Sequence, residues 1–140
     1  MKVLLDTNVL IAFFCDPAAR EAFDAQSTRP LLFLSSVVAM ELFAGCRTHR
    51  QQSAFRAFVK PFEKAGRLVT PDHPALLEAG RVLAQLGAAG IGAAHLRQIT
   101  NDVIIAVSAA RAGIAVVTLN TQDFRRIEKY TPVRWMEPAT

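Results

Sequence analysis

Four carboxylates stand in places where an acid is costly. Asp6 closes the apolar run Val3-Leu4-Leu5, and Glu41 interrupts the run from Val37 to Ala44. Asp102 precedes Val103-Ile104-Ile105-Ala106-Val107, and Asp123 lies between Val116-Val117-Thr118-Leu119-Asn120 and Phe124. The chain has 12 acids against 16 Lys and Arg, so its acids are scarce and these four sit beside core-forming segments. An ionised group beside a buried segment is unfavourable unless compensated, and clustered carboxylates repel one another. A hard divalent cation with oxygen ligands, Mg²⁺ or Mn²⁺, compensates several carboxylates at once. Such a site suits hydrolysis of a phosphate ester by metal-activated water. The chain has no G-x-S-x-G elbow, no Cys–His motif and no G-x-x-x-x-G-K-[ST] loop. These absences argue against a protein nucleophile and against P-loop ATP hydrolysis.

Each acid also has a structural reading. Asp6 can cap a helix that starts at Thr7. Asp102 can occupy the first turn of a helix and match its dipole. Asp123, three residues after Asn120, fits a capping-box-like pair. Glu41 can reach solvent from the edge of an apolar helix face. Helix N-termini would keep Asp102 and Asp123 ionised at neutral pH.

The 140 residues suit one domain, 1–140. Strands are expected over 2–5, 31–34, 67–70, 114–119 and, as an edge, 133–136. Helices are expected from Thr7, restarting at Pro17 and ending near Gln26; from a Ser35 or Ser36 cap towards Arg47; over 50–65 with a kink or early end at Pro61; and over 74–86. Gly87, Gly90 and Gly92 read as a flexible stretch before a helix that Thr100 or Asn101 caps, running from Asp102 to Ala112 and closed by Gly113. A short helix through Phe124 and Ile127 follows a cap at Asn120 or Thr121. Short apolar strands alternating with helices predict an α/β sandwich of three layers around a mainly parallel, Rossmann-like sheet. Ligands then bind at the carboxyl ends of the strands, which is where Asp6 and Asp123 fall.

The formal charge of +4 and pI near 9.6 are mildly basic, as befits a polyanionic substrate. Arg47, Arg50, Arg56, Lys60, Lys64 and Arg67 form the basic stretch expected to dock that substrate, with a solvated helix face as the plainer reading. Nine phenylalanines, among them Phe13-Phe14, are expected mostly in the core. Cys15 and Cys46 read as buried free thiols in a reducing compartment, and His49, His73 and His95 show no zinc spacing. Lys2 and the apolar run after it imitate a signal peptide, but Asp6, Asn8 and the bulky Phe13-Phe14 break the pattern. No run approaches a membrane span, and the expected location is the cytoplasm.

The motifs themselves resemble a known family. Leu4-Leu5-Asp6-Thr7-Asn8-Val9-Leu10-Ile11 is similar to the opening of PIN-domain ribonucleases. Ser35-Ser36-Val37-Val38-Ala39-Met40-Glu41-Leu42-Phe43-Ala44-Gly45, Asn101-Asp102-Val103-Ile104-Ile105-Ala106 and Thr118-Leu119-Asn120-Thr121-Gln122-Asp123-Phe124 resemble their next three motifs, in order. The compact size looks most like the VapC-type toxins of bacterial toxin–antitoxin pairs. The resemblance implies a Rossmann-like PIN fold, Mg²⁺- or Mn²⁺-dependent endoribonuclease activity, a homodimer and a VapB-type antitoxin partner, with some of the phenylalanines on the homodimer face or in the groove for an antitoxin helix. It assigns the four acidic, metal-binding and catalytic roles to Asp6, Glu41, Asp102 and Asp123. It gives supporting or substrate-orienting roles to Thr7, Asn8, Ser36, Thr118 and Asn120. The rival readings are a non-toxin PIN-like RNA-binding or RNA-processing protein, a metal-dependent phosphatase and a receiver-type signalling domain. The second acid of an aspartyl-phosphate motif and the late-strand lysine of a receiver are both missing.

Overall fold

A computed structural model describes residues 1–25 and 30–139. The apolar segments form five strands: β1 (Lys2–Leu5), β2 (Leu31–Ser35), β3 (Leu68–Val69), β4 (Ala115–Val117) and β5 (Trp135–Met136). All pairings are parallel, in the order β3-β2-β1-β4-β5. The register sets Leu4 between Phe33 and Val116. The chain leaves β1 towards β2 and β3, then returns to β4 on the other side of β1. Right-handed crossovers running in opposite directions put their helices on opposite faces, so the sheet is the middle of three layers. The reversal makes the β1/β4 boundary a topological switch point, where a crevice opens at the strand carboxyl ends.

Seven helices surround the sheet among the described residues: α1 (Thr7–Cys15), α2 (Pro17–Asp24), α3 (Ser36–Ala44), α4 (His49–Ala65), α5 (His73–Ala88), α6 (Ala93–Ala112) and α7 (Thr121–Ile127). The expected end of α2 at Gln26 lies outside the described residues. Ser35, rather than Ser36, caps α3 by accepting from the amides of Val37 and Val38. Thr48 and Gln51 form a reciprocal capping box on α4. That helix continues through Pro61 to Ala65 and is not shortened. Phe55, Phe58 and Phe62 stack along one face of it, with successive ring centroids 6.2 and 5.4 Å apart. This packing offsets the hydrogen bond that proline removes.

The largest departure from expectation is α6. It begins at Ala93, nine residues before the expected start at Asp102, and spans 20 residues. Neither Thr100 nor Asn101 is a cap. The Thr100 hydroxyl instead donates back to the Leu96 carbonyl at 2.8 Å, as Thr does inside a helix. The glycine stretch shrinks to the turn between α5 and α6, with Gly90 at φ 105°. Gly113 ends α6 as expected, in the left-handed conformation at φ 70°. α6 buries Ile99, Val103, Ile105, Ala106 and Val107 in the same core cluster as Val3, Leu4 and Val116 of the sheet. Burial of each such side chain contributes about 1.5–3 kcal/mol. The helix that carries Asp102 is thereby fixed to the sheet. Neither cysteine is in the core: Cys15 is exposed and Cys46 half-buried.

Candidate active site

The site begins with a strand end. Asp6 follows β1 directly, and its amide donates to the Val117 carbonyl at 2.9 Å, continuing the ladder to β4. Asp6 caps α1: its Oδ1 accepts from the Thr7 amide at 2.8 Å. Its Oδ2 accepts from the hydroxyl of Thr118, the residue after β4, also at 2.8 Å. The capping reading and the site reading of Asp6 therefore hold together, one for each oxygen. Asp6 is 8% exposed and Thr118 is fully buried. Burial pushes the Asp6 carboxyl above its usual range, the Thr7 and Thr118 bonds oppose this, and the charge of Glu41 adds to it.

Asp102 meets this corner from α6. Its Oδ2 accepts from the Asn120 side-chain amide at 2.7 Å. The Asn120 backbone amide donates to the Thr118 hydroxyl at 2.9 Å. Thr118 and Asn120, just past β4, thus pin both the buried Asp6 and the half-buried Asp102 through one short turn. Asp102 sits in the interior of α6, so the expected stabilisation by a helix N-terminus is absent. Its carboxyl is instead pushed up to about 7, first by burial and then by the charge of Asp6, with smaller contributions from Glu41 and Asp123 and opposition from Asn120. The hydrogen-bond partners of both aspartates are neutral amides and a hydroxyl, which orient a carboxylate without cancelling its charge.

Glu41 and Asp123 flank this pair. Glu41, in the second turn of α3, is half-buried, and its Oε1 accepts from the Thr7 hydroxyl at 2.7 Å. Asp123 lies in the first turn of α7, as expected, but not in a capping box, because Asn120 makes no side-chain cap. Its Oδ1 lies 2.9 Å from His95 Nε2 and 3.5 Å from Arg126 Nη1. Asn8 is exposed at the start of α1, and the Ser36 hydroxyl lies 2.6 Å from that of Thr70, at the ends of β2 and β3. The fold therefore gathers Asp6, Thr7, Glu41, Asp102, Thr118, Asn120 and Asp123 on one rim. Among the described residues, no three acidic, histidine or cysteine side chains already close around a common point. The carboxylates stand apart, as uncompensated like charges do. The all-oxygen donor set and the elevated Asp102 carboxyl fit a hard cation.

His95 escaped the reading of the sequence. Its partner is 28 residues away, and the segment around it looked like loop. The signal that could have found it is spacing: His95 and Asp102 are seven residues apart, about two helical turns, hence on one face of α6.

The expected basic residues run along α4 and its flanks. Arg47, Arg50, Arg56, Lys60 and Lys64 are exposed, and Arg67 is half-buried. The Arg56 guanidinium stacks 4.8 Å from the Phe43 ring centroid. Phe13 packs edge-on against Phe23, and Phe14 against Phe58. A groove of about 400 Å³ starts at Thr7 and Glu41 and continues along Leu10, Ile11, Phe14 and Phe58. No helix is long and apolar enough to cross a membrane among the described residues.

Known proteins share this arrangement. A family model described as the PIN domain matches residues 3–130. The chain is 28% identical over 129 residues to a tRNA(fMet)-specific endonuclease VapC of Shigella flexneri, covering 91% of this chain and 92% of that protein. It superposes with a TM-score of 0.68 and 28% identity on a chain of DNA-bound VapBC from Salmonella typhimurium, with 98% of each chain covered. FitAcB from Neisseria gonorrhoeae gives a TM-score of 0.70 over 97% of each chain at 22% identity, a likeness of fold. With its motifs in order, its sheet reversing at β1/β4 and its acids gathered at that reversal, this chain belongs to the PIN-domain family.

Proposed function

We propose that the chain, residues 1–140 acting as one PIN domain, is a metal-dependent endoribonuclease and the VapC-type toxin of a toxin–antitoxin pair. The observation that carries this reading is the pair Asp6, buried, and Asp102, half-buried, brought together from the two sides of the switch point and held, among the described residues, by neutral donors alone. Asp6 and Asp102 would hold Mg²⁺ or Mn²⁺ directly, with Glu41 and Asp123 completing the set. When bound, the cation supplies an activated water and charge stabilisation at the phosphorus.

The chain's own residues prepare that chemistry. Thr118 and the Thr7 amide fix both oxygens of Asp6. Asn120 fixes Asp102, and the Thr7 hydroxyl fixes Glu41. Each bond restricts a carboxylate to one orientation before substrate arrives, which lowers the reorganisation needed in the transition state. Asn8 and Ser36, at the rim, orient the RNA strand. Arg47, Arg50, Arg56, Lys60, Lys64 and Arg67 contact its phosphates from α4 and its flanks. The groove beside Thr7 and Glu41 has the apolar lining that suits a helix of a VapB-type antitoxin. The protein works in the cytoplasm as a homodimer.

Transfer RNA is the first substrate to try, because the curated relatives are named for tRNA(fMet). Purified protein should cut initiator tRNA with Mg²⁺ or Mn²⁺ and stop when a chelator is added. The Asp6→Asn variant should remain folded, since Asn caps a helix as Asp does, and should lose cleavage. Undiminished cleavage by Asp6→Asn, or cleavage of a small phosphomonoester with no action on RNA, would overturn this function.

A further inference from the structure

We propose that His95, seconded by Arg126, is a positioning residue for cleavage, acting through Asp123; this rests on the nuclease reading above. Three observations converge. His95 Nε2 lies 2.9 Å from Asp123 Oδ1, and Arg126 Nη1 lies 3.5 Å from the same oxygen and 3.4 Å from His95 Nε2. Asp123 and Arg126 are three residues apart on α7, hence neighbours on one helix face. His95 comes from a different element, the first turn of α6, on the same face as Asp102 two turns later. The N-terminal extension of α6 therefore delivers a second site residue, not merely a longer helix.

Two of these contacts fall on Oδ1 of Asp123, and the third joins Arg126 to His95. The Asp123 side chain is 13% exposed, whereas those of His95 and Arg126 are 39% and 36% exposed. A carboxylate in a seven-residue helix at the rim has rotamer freedom of its own. A short bond from α6 ties its side chain to the helix that carries Asp102. His95 thus couples the orientations of Asp102 and Asp123, which belong to different helices. Arg126 contributes a permanent positive charge at longer range, so the rim acid is balanced by charge where the inner pair is not.

The test combines kinetics with a readout independent of activity. Gln places a nitrogen near the position of His Nε2, whereas Ala does not. In the metal-free protein, the ¹³C resonance of the Asp123 side-chain carboxyl should move in His95→Ala and return towards its original position in His95→Gln. With initiator tRNA and Mn²⁺, His95→Ala should lower kcat by roughly tenfold or more with KM little changed, as loss of an outer-shell partner does, and His95→Gln should recover much of it. In an Asp123→Asn background the His95→Ala change should add little further loss. An unmoved carboxyl resonance, an unchanged kcat, or an equal loss in the Asp123→Asn background would each overturn the positioning role. Absence of cleavage by the unaltered protein would instead overturn the nuclease reading, and the resonance would still report whether His95 holds Asp123.

Discussion

The two halves of the acidic rim are held in different ways. Asp6, buried, and Asp102, half-buried, receive hydrogen bonds from neutral groups, the Thr7 amide, the Thr118 hydroxyl and the Asn120 amide. Asp123 is bonded by groups that are, or can become, cations, His95 and Arg126. Neutral donors orient a carboxylate and leave its charge in place, whereas cationic partners orient and neutralise it. Burial first, and then the unrelieved charge of Asp6, raises Asp102 to about 7, and that half of the rim has the most to gain from a divalent cation. The lesson is that local stability has been given up at the inner pair and retained at the outer acid.

Removing one inner charge breaks the comparison most directly. Asp102→Asn should lower RNA cleavage by on the order of a thousandfold, since a cation's contribution of several kcal/mol converts at about 1.4 kcal/mol per tenfold. The same change should raise the melting temperature of chelator-treated protein, because it deletes a repelled carboxylate. Lower thermal stability together with lost cleavage would mark Asp102 as a structural residue.

Titration sharpens the contrast. Asp102 has a folded pKa of about 7 against an ordinary 3.8, and Asp6 is raised as well. Between those values the folded state keeps a proton that the unfolded chain has lost, so stability is highest at the acidic end of that window and falls as pH rises from about 4 to 7. The slope is at most about 1.4 kcal/mol per pH unit for one proton. Chemical denaturation of metal-free protein across that range should show this fall, and saturating Mg²⁺ should reduce it at pH 7. A stability that rises steadily over that range would contradict the inner-pair electrostatics.

A smaller effect is expected at the neutral donors. Thr118→Val keeps the buried volume and deletes the hydroxyl on Asp6 Oδ2, so it should cost roughly 1–3 kcal/mol in denaturant unfolding and 10- to 100-fold in kcat. An unaffected kcat would show that Asp6 needs no help from β4. The smallest effect per residue belongs far from both acids. Neutralising Lys60 and Lys64 together should weaken RNA binding modestly, and the slope of log affinity against log salt should become shallower by about 1.4 for a single-stranded site. An unchanged slope would remove α4 from the RNA path.

Much of this architecture was legible in the residues. Asp6 after Val3-Leu4-Leu5 announces a strand end and a helix cap, and it serves as both. Gly113 after a long apolar helix marks a left-handed stop. What misled was polar chemistry with two local meanings. Thr100-Asn101 looks like a cap, but a Thr inside a helix can bond back one turn, and Thr100 does so. Asn120 is the N-cap residue of α7, yet it makes no side-chain cap bond and its amide turns to Asp102. Cys15 and Cys46 have apolar sequence neighbours, but Cys15 is the last residue of α1 and Cys46 lies just past the end of α3, and neither is buried.

Read alone, the amino-acid sequence determined which segments are strands, which acids end beside them and that four such acids recur in one order, because hydrophobic periodicity and capping act over a few residues. The tertiary structure decided that Asp102 lies within a helix and not at its start, that Thr118 and Asn120 join Asp6 and Asp102, and that His95 meets Asp123 across 28 residues. Those outcomes depend on burial and on charges converging from separate elements, and neither quantity exists until the sheet has closed around its core.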